Sequence, residues 1–226
     1  MNKMLHRDQR NFHGWGYRRR VIASLESLSI QEARESEKDQ DSAGSKAIEP
    51  KSLVEQEFVY TTDKIKENLS NFSAWHNRSK LIVRLLNERQ ADSVARRKML
   101  DAEFELAQNA LIDPVDQSPW FYHQFLISNL SPACPESARI VLDLTNADRL
   151  RYLEQEITNI RDMLEDSADC KWVYQALLLY CEMYLELDGG NKFFTTLEMR
   201  EWLERLRELD PLRRGKWGDW ERRLGL

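Results

Sequence analysis

Glycine and proline are scarce, with eight and six in 226 residues. So few chain breakers exclude a fold of many short strands and tight turns, and the abundance of Leu, Glu, Arg and Ala favours helix. Cysteine is scarcer still: Cys134, Cys170 and Cys181 are odd in number and form no CxxC. That usage argues against a disulfide framework and fits a reducing compartment. No apolar run approaches the ~20 residues that cross a bilayer, and the polar, basic N-terminus lacks the apolar core of a signal peptide. A soluble, cytoplasmic chain with no stable membrane insertion is expected. Neither sign of charge dominates, since the net charge is −5 with acidic and basic residues interleaved. Without a basic stripe, no nucleic-acid partner is expected. The four histidines, His6, His13, His76 and His123, have no cysteine or carboxylate at metal-ligand spacing, so no metal or other cofactor is expected in this chain. GxGxxG, GxxxxGK[ST] and GxSxG are absent too, which leaves nucleotide binding and α/β-hydrolase chemistry without support.

What is present is tryptophan in a repeated frame. NFHGWGYRR (residues 11–19), NFSAWHNRS (71–79) and DQSPWFYHQ (116–124) align on Trp15, Trp75 and Trp120. In each, a polar residue stands four before the Trp (Asn11, Asn71, Asp116) and a basic or His residue three after it (Arg18, Arg78, His123). An aliphatic residue follows six after it (Val21, Leu81, Leu126). Upstream of the later copies lie Phe58, Thr62, Ile65, Leu69; Leu100, Phe104, Ala107, Leu111; and Leu153, Ile157, Ile160, Leu164. Each set is spaced i, i+4, i+7, i+11, the apolar stripe of an amphipathic helix of about three turns, and each ends shortly before Trp75, Trp120 or Trp172. The unit predicted is a helix, a short connection, and a second helix opening near the Trp.

The connections agree. Asp113-Pro114 stops a first helix, because the residue before proline is pushed out of the α region. Ser118-Pro119 reads as an N-cap followed by proline at the first helical position, and Ser73 holds the same offset from its Trp. A fifth, atypical copy has Trp202, Leu206 and Leu209, then Asp210-Pro211 before Trp217, as expected of a terminal repeat with one neighbour. The fold class expected is all-α, a right-handed superhelix (an α-α solenoid) of antiparallel hairpins. It forms one domain over 1–226, with repeats near 1–30, 53–88, 93–130, 148–187 and 195–226. A polar, mobile insert is expected at 36–51 and a loop excursion at 131–147. Met4, Leu5 and Asp8 match only the last turn of a first helix, so the chain is expected to begin inside a repeat.

The frame NxxxWxxR followed by an aliphatic residue, in tandem helical hairpins, resembles the α subunits of the protein prenyltransferases. DQRNFHGWGYRR, NFSAWHNRSKLI and ELAQNALIDPVDQSPWFYHQFLI look most like those of the type II enzymes, the Rab geranylgeranyltransferases, and MLEDSADCKWVYQALLLY is similar to fungal members. The resemblance covers nearly all of the chain outside the two inserts. It implies a helical crescent around a separate β subunit that holds a catalytic zinc and the lipid pocket. It also implies a heterodimer that transfers geranylgeranyl from geranylgeranyl diphosphate to C-terminal cysteines of Rab GTPases presented by an escort protein. The basic residue that this family places near the diphosphate lies in a PKxYxxWxHR-type repeat, which is not found here. Phe12 stands where farnesyltransferase relatives have a tyrosine. The α subunit shared by farnesyltransferase and type I geranylgeranyltransferase is the alternative inside the class, and a non-enzymatic helical scaffold the alternative outside it.

No catalytic residue is expected within this chain. Trp15, Trp75, Trp120 and Trp172 are assigned to the repeat core. The helix starts are read in two compatible ways, as local caps and, by the resemblance, as a surface facing the β subunit and the rim of its site. The candidates for that surface are Asn11, Phe12, His13, Tyr17, Arg18, Arg19, Asn71, Ser73, Arg78, Asp116, Gln117, Tyr122 and His123.

Overall fold

The computed structural model describes residues 2–38, 51–187 and 193–226, and among them every regular element is a helix. Contacts divide the chain into two compact units, residues 1–90 and 91–226.

In the first unit a short α1 (Asn2–Arg7) leads into the long α2 (Phe12–Lys38), followed by α3 (Val54–Glu67) and α4 (Phe72–Glu88). Residues 36–38 of the expected insert continue α2, and 39–50 lie outside the described residues. Helices α3 and α4 run antiparallel. Trp75 meets Leu69 near the turn, Arg78 meets Thr62 further along, and Arg89 meets Glu55 at the far end. Phe58 and Ile65 of the α3 stripe are buried against Ile82, Leu85 and Leu86 of α4. Thr62 and Leu69 are half-buried. Helix α2 is tied to the start of α3 through Glu26, whose carboxylate accepts the Leu53 N–H at 2.9 Å and an Arg84 N–H at 2.7 Å.

The second unit contains α5 (Ser93–Ala110), α6 (Gln117–Ser128), α7 (Asn146–Asp162), α8 (Lys171–Leu187), α9 (Thr196–Leu209) and α10 (Arg214–Leu224). Leu100, Phe104, Ala107 and Leu111 are all buried along the α5 stripe, as are Leu153, Ile157 and Ile160 along α7. Helices α7 and α8 are antiparallel, with Tyr174 bonded to Ala168 at the turn and Tyr184 bonded to Glu154 further away. Helix α5 ends before Asp113-Pro114, and α9 ends before Asp210-Pro211, where a 3-10 turn at Pro211–Arg213 feeds α10. The excursion at 131–147 is anchored rather than free-standing. Ile140, Val141 and Leu144 are buried, the Ile140 N–H donates to the Asn129 side chain at 2.9 Å, and its carbonyl accepts from Arg96 at 3.0 Å.

One local expectation is corrected. Ser118 is not the cap of α6, since the helix begins at Gln117 and Asp116 accepts the Ser118 N–H at 2.9 Å. Proline is tolerated two residues further in because the first N–H groups of a helix have no intrahelical partner. Ser118 and Pro119 are both buried.

Candidate functional site: the hairpin turns and helix starts

The polar residue of each frame opens a helix. Asn11 accepts the Gly14 N–H at 2.7 Å, Asn71 accepts the Ala74 N–H at 3.1 Å, and Asp116 caps α6. Four residues on, the tryptophan packs into the turn and its indole N–H reaches back to a carbonyl six residues earlier. Trp15 donates to Gln9 at 2.8 Å, Trp75 to Leu69 at 2.7 Å, and Trp120 to Pro114 at 2.8 Å. The three rings are buried. The bond serves both partners: the indole N–H of a buried ring needs an acceptor, and the turn carbonyl supplies it without drawing the ring out of the core.

The fourth hairpin departs from the tryptophan alignment. Trp172 is only half-buried and lies two residues into α8. Cys170 stands immediately before α8, and four residues after it the buried Tyr174 donates its hydroxyl to the Ala168 carbonyl, six residues back, at 2.9 Å. Tyr174 therefore occupies the tryptophan's place, and the assignment of Trp172 to the repeat core is corrected. In the last pair the role falls to Trp217, fully buried and bonded to the Asp210 carbonyl at 3.1 Å.

The residue three after each aromatic faces inward. Arg18 forks onto Glu57, with Nε to Oε2 at 2.6 Å and Nη2 to Oε1, while its guanidinium lies 3.5 Å from the Tyr60 ring centroid. Arg78 lies 3.8 Å over the Phe58 ring and donates to Thr62 at 2.7 Å. His123 bridges Tyr180 on α8 (Nδ1 to the hydroxyl, 2.5 Å) and Glu156 on α7 (Nε2 to Oε2, 2.7 Å). Gln108 on α5 donates to the other oxygen of Glu156 at 2.7 Å. An ionised carboxylate only accepts, so the Nε2 proton points at Glu156, and in the neutral imidazole Nδ1 then accepts from Tyr180. Burial, and then the nearby Glu156 charge, push the Tyr180 hydroxyl well above its ordinary value.

Sequence reasoning did not find the acceptors. Glu57, Glu103 and Glu156 are 9%, 1% and 2% exposed, and Glu103 accepts the Tyr122 hydroxyl at 2.6 Å. Each stands directly before a buried apolar residue (Phe58, Phe104, Ile157), so the available signal was a glutamate in the same register beside three successive stripes.

The expected partner-facing set is thereby divided. Asn71, Arg78, Tyr122, His123 and Arg18 are buried within their own unit, so these five are corrected from surface candidates to internal connectors. Phe12, His13, Tyr17, Arg19 and Gln117 are exposed, while Asn11, Ser73 and Asp116 are half-buried. Phe12, His13, Tyr17 and Arg19 come together with Gly16, Arg20 and Ala23 around an open concavity of about 540 Å³ at the start of α2. Phe12 is 71% exposed and Tyr17 58%, two bare aromatics near the start of α2. Among the described residues no three His, Cys, Asp or Glu side chains gather at metal-binding distance, and no helix is long and apolar enough to cross a membrane.

Packed hairpins, each with an aromatic donor fastening the turn and the first three with a capped second helix, define a helical-repeat protein. The repeat has a known counterpart: residues 1–25 and 54–85 match the family described as protein prenyltransferase alpha subunit repeat. Proteins named geranylgeranyl transferase type-2 subunit alpha are similar along most of the chain. That of Schizosaccharomyces pombe is 31% identical over 95% of this chain and 58% of its own length, and that of Saccharomyces cerevisiae is 30% identical over 96% and 58%. The Rattus norvegicus protein of the same name is 35% identical over 58% of this chain and 19% of its own. Two segments of the chain thus carry the repeat of that family, and nearly the whole chain is similar to the fungal subunits. The chain spans 58% of the length of these fungal relatives.

Proposed function

We propose that this chain acts as the α subunit, or as part of one, of a type II protein geranylgeranyltransferase. The observation that carries the reading is the fastened hairpin start: cap, indole, turn carbonyl and buried cation recur in the segments that match the family. In this reading the chain holds no cofactor and no reacting group of its own. A β subunit carries the zinc and the lipid pocket. The heterodimer transfers geranylgeranyl from geranylgeranyl diphosphate to C-terminal cysteines of a Rab GTPase delivered by its escort protein, in the cytoplasm.

The buried networks support that division of labour. A surface holding a large partner in shape is worth most when rigid, and the bonded caps, aromatic donors and buried ion pairs hold the hairpin starts in place. Phe12, His13, Tyr17 and Arg19 are the side chains left to meet the partner near its site. Coexpression with a type II β subunit tests the reading. A co-eluting complex that prenylates a Rab protein with its escort in preference to a CaaX protein is expected. Separate elution at micromolar concentration defeats it, and a CaaX preference moves the chain to the farnesyltransferase and type I class.

A further inference from the structure

Between α2 and α4, over α3, lies a groove of about 200 Å³ that shares Arg19 and Ala23 with the concavity at Phe12. Four cations line it, Arg18, Arg19, Lys80 and Arg84, against two carboxylates, Glu26 and Glu57. Both carboxylates are already taken. Glu57 is forked by Arg18, and Glu26 is held by Arg84 at 2.7 and 3.0 Å. Arg19 donates to the neutral amide of Asn77 at 3.0 Å. Among the described residues neither Arg19 nor Lys80 has a carboxylate within ion-pair reach. The excess positive charge is felt one turn away at His76, whose imidazole is held below its ordinary value by burial and then by Lys80 and Arg19. The walls between the cations are Trp15, Ile22 and Leu81, an apolar slot suited to the methylenes of an acidic side chain.

The second unit has a groove in the same place on its helices. Gln124 stands four residues after Trp120, as Arg19 does after Trp15, and Leu179 stands five after Tyr174, as Lys80 does after Trp75. Gln124 and Leu179 line the groove between α6 and α8. There the two cations are replaced by an amide and an aliphatic residue, so the positive groove is a property of these side chains and not of hairpin packing in general.

We propose that the groove between α2 and α4 seats an aspartate or glutamate of the β subunit, its carboxylate between Arg19 and Lys80. This rests on the reading above that a β subunit is the partner. A carboxylate shared by two cations in a partly desolvated slot is a stronger anchor than an ion pair at an open rim.

The test uses the full chain coexpressed and purified with its β subunit. Arg19→Glu and Lys80→Glu each weaken the complex by about tenfold or more and flatten its salt dependence, and Lys80→Met gives a smaller loss. Lys98→Glu, on α5 in the other unit, leaves affinity unchanged. Circular dichroism melting curves establish that each variant is folded. Wild-type affinity in both reversal variants overturns the proposal while leaving the partner reading intact. Absence of a wild-type complex defeats the partner reading and the assignment of this occupant with it. Lys80-dependent binding of inorganic phosphate to the free chain, beside an unaltered complex in the variants, assigns the groove to a free anion and also overturns the proposal.

Discussion

Tyr174 and Trp172 are two residues apart, and which of them fastens the fourth hairpin is decided by one hydrogen bond. Trp172 was the natural choice in sequence because tryptophan defined the other copies. Only the start of α8 after Cys170 shows that the fastening position belongs to Tyr174. Tyr174→Phe removes the donor to the Ala168 carbonyl and is expected to cost about 1 kcal/mol. Trp172→Phe should cost roughly 0.5 kcal/mol or less, as for a half-exposed site. Urea denaturation of both variants checks the order, and the reverse order would restore Trp172 to the frame. The same limit hid the buried glutamates. Glutamate is a surface residue in most helices, and the acceptors Glu57 and Glu156 lie 39 and 33 residues from Arg18 and His123. Composition and spacing carry no information about such a pairing until the helices are packed. His123→Ala strands Glu156 as a buried carboxylate without its imidazole, and should destabilise by about 3–5 kcal/mol. Adding Glu156→Gln should recover part of that loss. A double-mutant cycle with no coupling between the two positions would remove the bridge from the account.

At the scale of the element, the stripes were legible because an amphipathic period needs no partner to be read; the second is buried throughout, and the first and third bury Phe58 and Ile65, and Leu153, Ile157 and Ile160. Helix starts were less legible. The α6 start was misplaced by proline, whose preference for the first helical position is statistical, whereas the Asp116 cap is a specific bond. The opening of α7 gives a pH prediction. Thr145 and Asp148 form a reciprocal capping box, and the hydrogen bonds from Thr145 hold the Asp148 carboxyl below its ordinary value. A carboxyl depressed in the folded state contributes stability that is present above its unfolded value of 3.8 and is lost as pH falls through the folded value. The urea midpoint should therefore drop in acid, and Asp148→Asn should remove the part of that slope owed to this group. Thr145→Ala should cost about 1 kcal/mol at neutral pH. The end of α4 offers the opposite sign. Gln90 sits at φ 49°, the left-handed region that side chains enter at a cost. Gln90→Gly should raise stability by roughly 1 kcal/mol, read as a higher midpoint at unchanged m-value.

For the whole molecule, the surface that remains bare in residues 1–90 belongs largely to α2. This helix is 27 residues long. Beyond the exposed aromatics at its start, it leaves Leu25, Leu28 and Ile30 at 48%, 53% and 41% exposure. Helix propensity alone holds so long an element only marginally in water, and one with a bare apolar face should open locally more readily than α3 and α4, whose shared core is buried. If a partner covers α2, the energy of that contact is added to the local opening equilibrium by mass action, about 2.7 kcal/mol when the partner is present at 100 times its Kd. Amide exchange of the free chain is therefore expected to be fast over residues 22–38 and slow over α3 and α4. In the complex with the β subunit, exchange over α2 should slow by up to about a hundredfold while the α3–α4 pair changes little. Protection confined to α3 and α4, with α2 unchanged in a complex that does form, would remove the Phe12 concavity from the partner's footprint.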